Sequence, residues 1–415
     1  MKFEQYHISE TIKKNLAGLG FKRPTDIQFK SIPSILKQED VLAIAQTGTG
    51  KTAAFAIPII DRIHSHKRSK RTMGIKCIVM VPTRELALQI GEVFAALSKN
   101  TRAKTFALYG GVDQNAQIER LQDGIDILVA TPGRMFDLIS QGHIKLDRVE
   151  TLVLDEADHM LDLGFIRDIR YVKRMLVRKH QTLFFSATIN KEIKKLAFSQ
   201  VKSSAIRIQI SPEDKVSKKI SHYVTFVEMD DKRFFLEKFI KENPDSRIIV
   251  FVRTRVRAER VAKAMGRVAI PSVTIHGEKE QSDRTAAMAA FKAGECNILI
   301  ATDISARGID VPNVSYVLNY DLPDQAENYV HRVGRTGRGV NEGVALSFCS
   351  KEERPRLEEI QGFLNKQIDV LKIGKESYAH AVASATQSND ALSLIREHEA
   401  WLQSKKKKKR KKVRG

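Results

Sequence analysis

The chain has 415 residues, enough for two domains with full hydrophobic cores and a tail. Its formal net charge of +21 favours a polyanionic partner, although charge alone does not separate RNA from DNA or from an anionic membrane surface. No uncharged apolar run approaches the roughly 18 residues of a membrane span, no signal peptide is recognisable, and three scattered cysteines argue against a disulfide framework, so we expect a cytoplasmic protein with no membrane partner.

The first half of the chain alternates short apolar runs with segments of helical period. This alternation predicts βαβ units around a parallel sheet. Helices are expected at Thr83–Leu97 and Lys191–Phe198. The expected strands are Val41–Ala45, Ile75–Val81, Ile127–Ala130, Thr151–Asp155 and Thr182–Phe185.

The same pattern restarts in the second half of the chain. Helices are expected at Val256–Met265 and Asp283–Lys292, between apolar runs that predict a second parallel sheet. The expected strands are Ile248–Val252, Val273–Ile275, Asn297–Ala301, Val314–Asn319 and Val344–Phe348.

Composition divides the chain into four parts. The polar, proline-containing stretch at 211–219 is interpreted as a flexible linker between domains at 1–210 and 220–370. A C-terminal extension follows at 371–415, with one expected helix at 388–403 and a lysine-rich end that we expect to be disordered. The sequence therefore predicts an α/β protein with two domains in tandem and a basic C-terminal tail.

A strand, a glycine-rich loop and an apolar helix follow one another at residues 41–60, which is the context of a phosphate-binding loop. Gly48 and Gly50 would let the backbone turn so that N–H groups face phosphates at a helix N-terminus. Lys51 would reach the β- and γ-phosphates, and the Thr52 hydroxyl would ligate Mg²⁺. Other loop residues expected to bind the nucleotide are Gln46, Thr47 and Thr49. The generic pattern is met imperfectly, because Ala45 replaces its first glycine.

Two acidic residues end the expected strand at 151–155. Asp155 can hold the metal, and Glu156 can orient or deprotonate the attacking water. The alternative, a solvated acidic turn, would leave carboxylates at a sheet edge without partners. The two sites together predict ATP binding and cleavage.

Asp-Glu-Ala-Asp at 155–158 is the signature of the DEAD-box RNA helicases of superfamily 2, and the chain resembles that family over about residues 1–365. Residues 45–52 match the family's own phosphate loop, which accounts for Ala45. Within the family the chain looks most like the bacterial RhlE type. The resemblance implies two RecA-like domains with parallel sheets in tandem, with ATP and Mg²⁺ as cofactors and RNA as partner.

The resemblance also assigns residues around the nucleotide. Phe21 would pack on adenine and Gln28 would hydrogen-bond its edge, which implies ATP over GTP. Arg335 and Arg338 would be arginine fingers that act when the domains close, and Asp310 would touch the nucleotide. With Lys51, Asp155 and Glu156, the two arginines complete the expected catalytic set.

Other segments resemble the family's RNA contacts and the motifs that couple hydrolysis to unwinding. The RNA contacts suit a sugar–phosphate backbone and include no obvious base readers. The expected RNA-binding residues are Pro82, Thr83, Arg84, Gly111, Thr131, Pro132, Gly133, Arg134, Arg253, Thr302 and Arg307. The expected coupling residues are Asp158, Ser186, Thr188, His331 and Arg332, with the hydroxyls of Ser186 and Thr188 bonded to Asp158 and with a plain packing role kept open for His331.

The expected function is an ATP-dependent RNA helicase that remodels short duplexes without sequence readout. An ATP-locked RNA clamp or ribonucleoprotein assembly scaffold is the alternative, and a DNA-directed motor is disfavoured by the motif set. The chain is expected to act as a monomer, with ribosomal or ribonucleoprotein-associated proteins as candidate partners. The lysine-rich end, Lys405–Gly415, is expected to hold RNA by charge.

Overall fold

Each half of the chain forms a seven-stranded, wholly parallel sheet among its described residues. The computed structural model describes residues 2–46, 48–67, 69, 74–210, 216–306, 311, 313–337, 342–372, 374 and 378. Within these ranges, no helix combines the length and the apolar character that crossing a bilayer demands.

The first domain contains nine α-helices and seven strands within the described ranges. A short 3₁₀ turn at Phe3–Gln5 precedes them. The helices are α1 (Glu10–Gly18), α2 (Asp26–Leu36), α3 (Lys51–His66), α4 (Arg84–Leu97), α5 (Gln114–Gln122), α6 (Pro132–Ser140), α7 (Ala157–Asp162), α8 (Ile166–Met175) and α9 (Lys191–Gln200). The strands are β1 (Val41–Ala45), β2 (Cys77–Met80), β3 (Thr105–Leu108), β4 (Ile127–Ala130), β5 (Thr151–Leu154), β6 (Gln181–Ser186) and β7 (Ile206–Ile210).

The second domain repeats this plan with six α-helices and seven strands in the part that the structure describes. A 3₁₀ turn at Lys351–Glu353 precedes its last helix. The helices are α10 (Lys232–Glu242), α11 (Arg255–Arg267), α12 (Gln281–Ala293), α13 (Asp303–Ala306), α14 (Ala326–Val333) and α15 (Arg354–Leu364). The strands are β8 (Ile220–Phe226), β9 (Ile248–Phe251), β10 (Val273–Ile275), β11 (Ile298–Ala301), β12 (Tyr316–Asn319), β13 (Gly343–Cys349) and β14 (Asp369–Val370).

The central strands of the first sheet are buried on both faces. Alternate residues of a strand point to opposite faces, so Val41 and Ala43 enter one apolar cluster while Leu42 and Ile44 enter another. All five residues of β1 are buried. This double burial explains why the central strands read as continuous apolar runs instead of alternating patterns.

The order of the first sheet is β3-β4-β2-β5-β6-β1-β7. Because the strands are parallel, their carboxyl ends share one edge. The phosphate loop follows β1 and the acidic turn follows β5, so the candidate nucleotide residues come from the β5-β6-β1 side. The first domain's candidate RNA residues follow β3, β4 and β2 on the other side. One sheet edge is thus divided between two expected ligands.

The fold class is confirmed, and the predicted strands lie within two residues of the observed ones at either end. Four strands went unpredicted: β3 and β7 are the two edges of the first sheet, β14 is one edge of the second sheet, and β8 is its neighbour. These strands are partly exposed, as in the alternating burial of β8. The expected helix at 388–403 and the lysine-rich end lie outside the described residues.

A buried histidine gives the second domain a predictable response to acid. Burial lowers the pKa of His222 to about 4, and the charge of Lys366 adds to this shift. Nδ1 of His222 lies 3.0 Å from the Tyr329 hydroxyl. Because the folded pKa lies below the unfolded value near 6.5, acid favours unfolding. We expect the free energy of unfolding to fall by up to about 3 kcal/mol between about pH 6.5 and 4.

The test is denaturant unfolding of the second-domain transition across this pH range. His222→Asn keeps a polar group beside Tyr329 but cannot titrate, so it should flatten the dependence on pH. Equal pH slopes for the two proteins would contradict the assignment.

Candidate nucleotide and nucleic-acid site

The phosphate loop joins β1 to α3 in the predicted manner. Gly50 lies in the left-handed region at φ 90°, and a Cβ there would come 2.5 Å from the side-chain nitrogen of Gln28, so both backbone and space require glycine. The Lys51 ammonium is buried and donates to the Ala45 carbonyl oxygen at 2.8 Å. The Thr49 hydroxyl donates to the carbonyl of Gln46 at 2.7 Å. The described loop residues are therefore held by hydrogen bonds among themselves at the start of α3.

The expected adenine reader lies against this loop. Gln28 is buried, its Nε2 donates to the Gly50 carbonyl at 3.1 Å, and its Oε1 accepts from the Thr25 N–H at 3.0 Å. Nε2 keeps a second N–H donor and Oε1 keeps a second lone pair. These groups can form hydrogen bonds with the edge of a base. Phe21 is half-buried and meets the buried ring of Phe3 edge-on, with centroids 6.1 Å apart.

The acidic turn after β5 holds two carboxylates in different electrostatic states. Burial raises the pKa of Asp155 to about 7; Lys51 opposes this shift and the charge of Glu156 adds to it. Burial alone would also raise the pKa of Glu156, but a hydrogen bond and charge from His159, with the charges of Arg335 and Lys51, hold it well below its usual range. Glu156 therefore stays ionised, while Asp155 is a buried carboxylate with too little positive charge nearby.

Glu156 also has an unusual backbone. Its φ of 50° and ψ of 49° place a non-glycine residue in the left-handed region, at a cost of about 1–2 kcal/mol. Strain of this kind at a residue beside a nucleotide loop is a sign of function. The Glu156 carboxylate lies 3.5 Å from Nδ1 of His159 in α7, and the charge of Arg335 from the second domain acts on it.

Asp158 ties the acidic turn to the end of β6. Its Oδ2 accepts from the Ala187 N–H at 3.1 Å, and from the N–H and hydroxyl of Thr188, both at 2.9 Å. The expected bond from Thr188 is present. The expected bond from Ser186 is wrong: this hydroxyl donates to the Thr188 carbonyl at 2.8 Å. Ser186 is fully buried at the last position of β6, and the chain turns its hydroxyl along the backbone, away from Asp158.

Helix α14 of the second domain faces this turn. The charge of His331 lowers the pKa of Asp158 against the effect of burial, and the charge of Arg335 does the same for Glu156. His331 and Arg335 are both buried, and Arg335 Nε donates to the His331 carbonyl at 3.0 Å. The acidic turn of the first domain thus interacts electrostatically with two candidate residues of the second domain.

Arg332 acts within its own domain. It is 1% exposed and its guanidinium makes a bidentate pair with Asp303 at 2.5 and 2.8 Å. It also donates to the Asn319 side chain at 3.1 Å and to the Asp321 carbonyl at 2.6 Å. Arg332 therefore fixes α14 to the segment after β11, where Thr302 lies.

The other half of the first sheet's carboxyl edge is held together by two arginines. The guanidinium of Arg84 lies so close to Gly111 that a Cβ there would meet Nη1 at 2.1 Å, and Gly111 has φ 79°. Arg134 donates to the Gln117 side chain at 2.5 Å and to the Val112 carbonyl at 3.1 Å. The loops after β2, β3 and β4 thus form one connected surface.

Two helix starts contribute to this surface. Thr83 caps α4 by accepting from the Leu86 N–H at 3.3 Å. Thr131 precedes Pro132 and Gly133 at the start of α6. The unpaired N–H groups of such a helix start suit a phosphate.

The same surface continues onto the second domain. Arg84 donates to the side chain of Gln281 at 3.2 Å, and Arg284 pairs with Glu85 at 2.5 Å. Both members of the second pair are about 10% exposed, at 9% and 10% for their side chains. Helices α4 and α12 therefore meet through a shielded ion pair that exists only while the domains are together.

Arg253 follows β9 on the second domain and is held by acidic groups. Its guanidinium lies 3.0 Å from Glu353 and 3.5 Å from Asp324, and its N–H donates to Asp321 at 3.0 Å. Sequence reasoning missed Glu353, which is fully buried and also binds Lys232. It also missed Gln117 and Glu85, because their roles depend on contacts between distant loops.

Four predicted site residues lie outside the described residues. They are Thr47, Arg307, Asp310 and Arg338. Their expected roles stay predictions.

Comparison with known proteins identifies related sequences. Residues 25–196 match the family described as DEAD/DEAH box helicase, and residues 231–340 match the helicase conserved C-terminal domain. The chain is 36% identical to a DEAD-box ATP-dependent RNA helicase CshA of Bacillus cereus, over 88% of this chain and 69% of that protein. It is 37% identical to an ATP-dependent RNA helicase RhlB of Shewanella oneidensis, over 92% and 88%. The RhlE subtype stays a prediction.

Solved structures resemble the whole two-domain arrangement. A variant of Saccharomyces cerevisiae Dbp5 bound to RNA and ADP BeF₃ matches with a TM-score of 0.81 at 28% identity, covering 93% of this chain and 99% of that one. The DEAD-box helicase Mss116 bound to ssRNA and UDP-BeF also gives 0.81 at 28%, covering 92% and 82%.

A third structure shows how the placement of the domains affects the match when the sequence compared is the same. The same Dbp5 variant, bound to Nup159, Gle1, IP6 and ADP, gives a TM-score of only 0.61 at 27% identity over 92% and 99% of the two chains. Because the Dbp5 chain is the same, the difference reflects how its parts are placed. The two domains of the present chain are arranged as in the RNA-bound form.

Proposed function

The chain belongs to the DEAD-box ATP-dependent RNA helicases, and we propose that it binds single-stranded RNA across both domains and separates short duplexes locally as it hydrolyses ATP. The observation that carries this proposal is the electrostatic coupling of the two domains at the acidic turn, where the charge of Arg335 acts on Glu156 and the charge of His331 acts on Asp158. A site completed by two domains can be switched by whatever brings the domains together.

The nucleotide is proposed to bind between the phosphate loop and α14. Gln28 and Phe21 would hold adenine, Lys51 the β- and γ-phosphates, and Glu156 would orient the attacking water. Arg335 would stabilise the charge that develops on the transferred phosphoryl group, because its guanidinium enters from the second domain.

The residues present also fit Mg²⁺. Asp155 is a buried carboxylate whose raised pKa reports too little compensating charge, as expected for a ligand of a divalent cation. Thr52, half-buried at the start of α3, would supply the second protein ligand. When bound, the ion would neutralise phosphate charge.

RNA is proposed to lie along the loops after β3, β4 and β2 and to cross to the second domain near Arg253 and Thr302. The described surface offers helix starts, glycine N–H groups and guanidinium groups, which bind phosphates without reading bases. Bending one strand across both domains would strip a short duplex without translocation along it.

The first test is steady-state ATP hydrolysis with no polymer, with single-stranded RNA and with a DNA of matched sequence, using Glu156→Gln as the blank. We expect strong stimulation by RNA alone. Equal rates in all three conditions would refute RNA-driven closure. Stimulation of ATP hydrolysis by RNA, together with a long-lived RNA complex and no release of strands, would favour the alternative function of an ATP-locked RNA clamp.

The pair between Glu85 and Arg284 offers a second test of closure. Removing one partner from a buried ion pair costs about 3–5 kcal/mol. Because this pair spans the domains, we expect Arg284→Gln to weaken RNA-dependent ATP hydrolysis by at least about tenfold while each domain stays folded.

The measurement is the RNA concentration for half-maximal ATP hydrolysis, with fluorescence transfer between labels on the two domains. Lys263→Gln, at an exposed position on α11, is the control. A double variant with Glu85→Gln should lose much less than the sum of the single losses. Additive losses would show that the two side chains do not interact during closure.

Other features of the chain remain proposals. The domain limits 1–210 and 220–370, with a linker at 211–219 and an extension at 371–415, are supported by the last residue of β7 and the first of β8. A reducing, cytoplasmic location is supported by three free, buried cysteines. We also propose a monomer whose protein partners are ribosomal or ribonucleoprotein-associated.

A further inference from the structure

Helix α8 carries a row of arginines outside the site described above. Residues 166–179 contain six basic side chains and one acidic one, Asp168. Arg167, Arg170 and Arg174 are exposed, and their spacing of three and four residues places them along one face of the helix. We call these three residues, with the exposed Tyr171 among them, the α8 stripe.

The charges of the α8 stripe are not used to hold the fold together. Within the described ranges, no carboxylate lies within ion-pairing distance of the three arginines. Lys173 of the same helix differs: it is partly buried and donates to the carbonyls of Ser199 and Gln200, at 2.9 and 2.5 Å. Lys173 therefore joins α8 to α9, whereas the three arginines are exposed to solvent.

The stripe lines a groove and offers an aromatic face. The groove has a volume of about 910 Å³ and runs between α8 and the Ser199–Gln200 end of α9. Tyr171 is 48% exposed, and the guanidinium of Arg174 lies 5.9 Å from its ring centroid. Guanidinium groups beside an exposed ring suit a nucleic-acid strand, which presents phosphates and stackable bases together.

The α8 stripe is continuous with the proposed RNA surface. The Tyr171 ring packs against Phe136 of α6, with centroids 5.3 Å apart, and α6 begins with the candidate RNA residues Thr131–Arg134. Helix α8 also starts four residues after α7, at the carboxyl edge of the sheet, and leads the chain back toward the start of β6. Arg167 therefore lies nearest the RNA surface and Arg174 farther away from it.

We propose that the α8 stripe is a second RNA-binding surface, which holds the sugar–phosphate backbone of RNA extending beyond the cleft. This rests on the proposed function, since the cleft must first place the RNA beside α6. An acidic protein segment is the competing occupant. RNA is favoured because the stripe joins a surface already proposed to bind that polymer and includes a ring for stacking.

The test compares two RNAs, one that fills only the cleft and one several times longer. The stripe variant is Arg167→Gln/Arg170→Gln/Arg174→Gln. Its control is Arg260→Gln/Lys263→Gln/Arg267→Gln on α11, which removes the same charge at the same helical spacing from exposed positions on the second domain. Affinity is measured for both RNAs over a range of salt concentrations, together with ATP hydrolysis.

We expect the stripe variant to bind the long RNA more weakly and to lower the slope of log affinity against log salt by about 2, since each lost phosphate contact on a single strand contributes about 0.7. Affinity for the short RNA and ATP hydrolysis stimulated by it should not change. Equal losses in both variants, or an unchanged slope for the long RNA, would overturn the proposal and leave the stripe to an acidic protein. Absence of stimulation by the short RNA in the unmodified protein would instead refute the proposed function.

Discussion

Arg335→Ala should lower RNA-stimulated ATP hydrolysis by about 10³–10⁵, the range found for arginine fingers. The physical reason is that Arg335 is the described residue of the second domain whose positive charge reaches Glu156, so the transferred phosphoryl group would lose that charge. Single-turnover hydrolysis at saturating ATP and RNA measures the chemical step without product release.

Two companion variants make the Arg335 result specific. Arg335→Lys keeps the charge but loses the planar fork, and we expect it to restore little activity. Arg260→Ala, at an exposed position on α11, should leave the rate unchanged. A loss of less than about tenfold for Arg335→Ala would mean that this arginine does not face the reacting phosphate.

Glu156→Gln should lower hydrolysis by about 10²–10⁴, the usual contribution of a general base, while ATP still binds. His159, Arg335 and Lys51 hold this carboxylate ionised, and an amide of the same size cannot accept a proton. Because the γ-phosphate of unhydrolysed ATP would still attract Arg335, domain closure should persist. RNA should then stay bound in the presence of ATP.

The measurement pairs single-turnover hydrolysis with the dissociation rate of RNA. Glu150→Gln is the control, since Glu150 precedes the first residue of β5, at the opposite end of that strand, and pairs with Lys76. Fast RNA release from the Glu156 variant in ATP would contradict closure driven by nucleotide binding. A normal hydrolysis rate would remove Glu156 from the catalytic set.

The central strands could be predicted from sequence because both of their faces are buried. β1 and β5 consist of consecutive buried residues; β1 is wholly apolar, and in β5 three apolar residues follow Thr151. The edge strands of the first sheet could not be predicted in this way: β3 is mostly half-buried, and β7 mixes exposed and buried residues. Their strand conformation depends on a neighbour that the local sequence does not reveal.

The site divides in a similar way. The Lys51 loop and the acidic turn are local segments, so their chemistry could be read directly. The bond expected from Ser186 to Asp158 was wrong, because residue type does not show which way a buried hydroxyl turns. The pair between Glu85 and Arg284 joins residues 199 positions apart, and only the placed domains show it.

The sharing of one sheet edge by two expected ligands has a consequence for signalling. The loops after β2 and β1 belong to the same sheet, with only β5 and β6 between their strands, so the two expected ligands would contact neighbouring parts of one edge. The first domain by itself can bind each ligand separately but cannot couple the binding of one to the binding of the other. Such coupling requires a second element that contacts both sites at once. The second domain does so through α12 and α14. The protein therefore responds to both ligands together: the first domain binds them, and the second domain couples their binding.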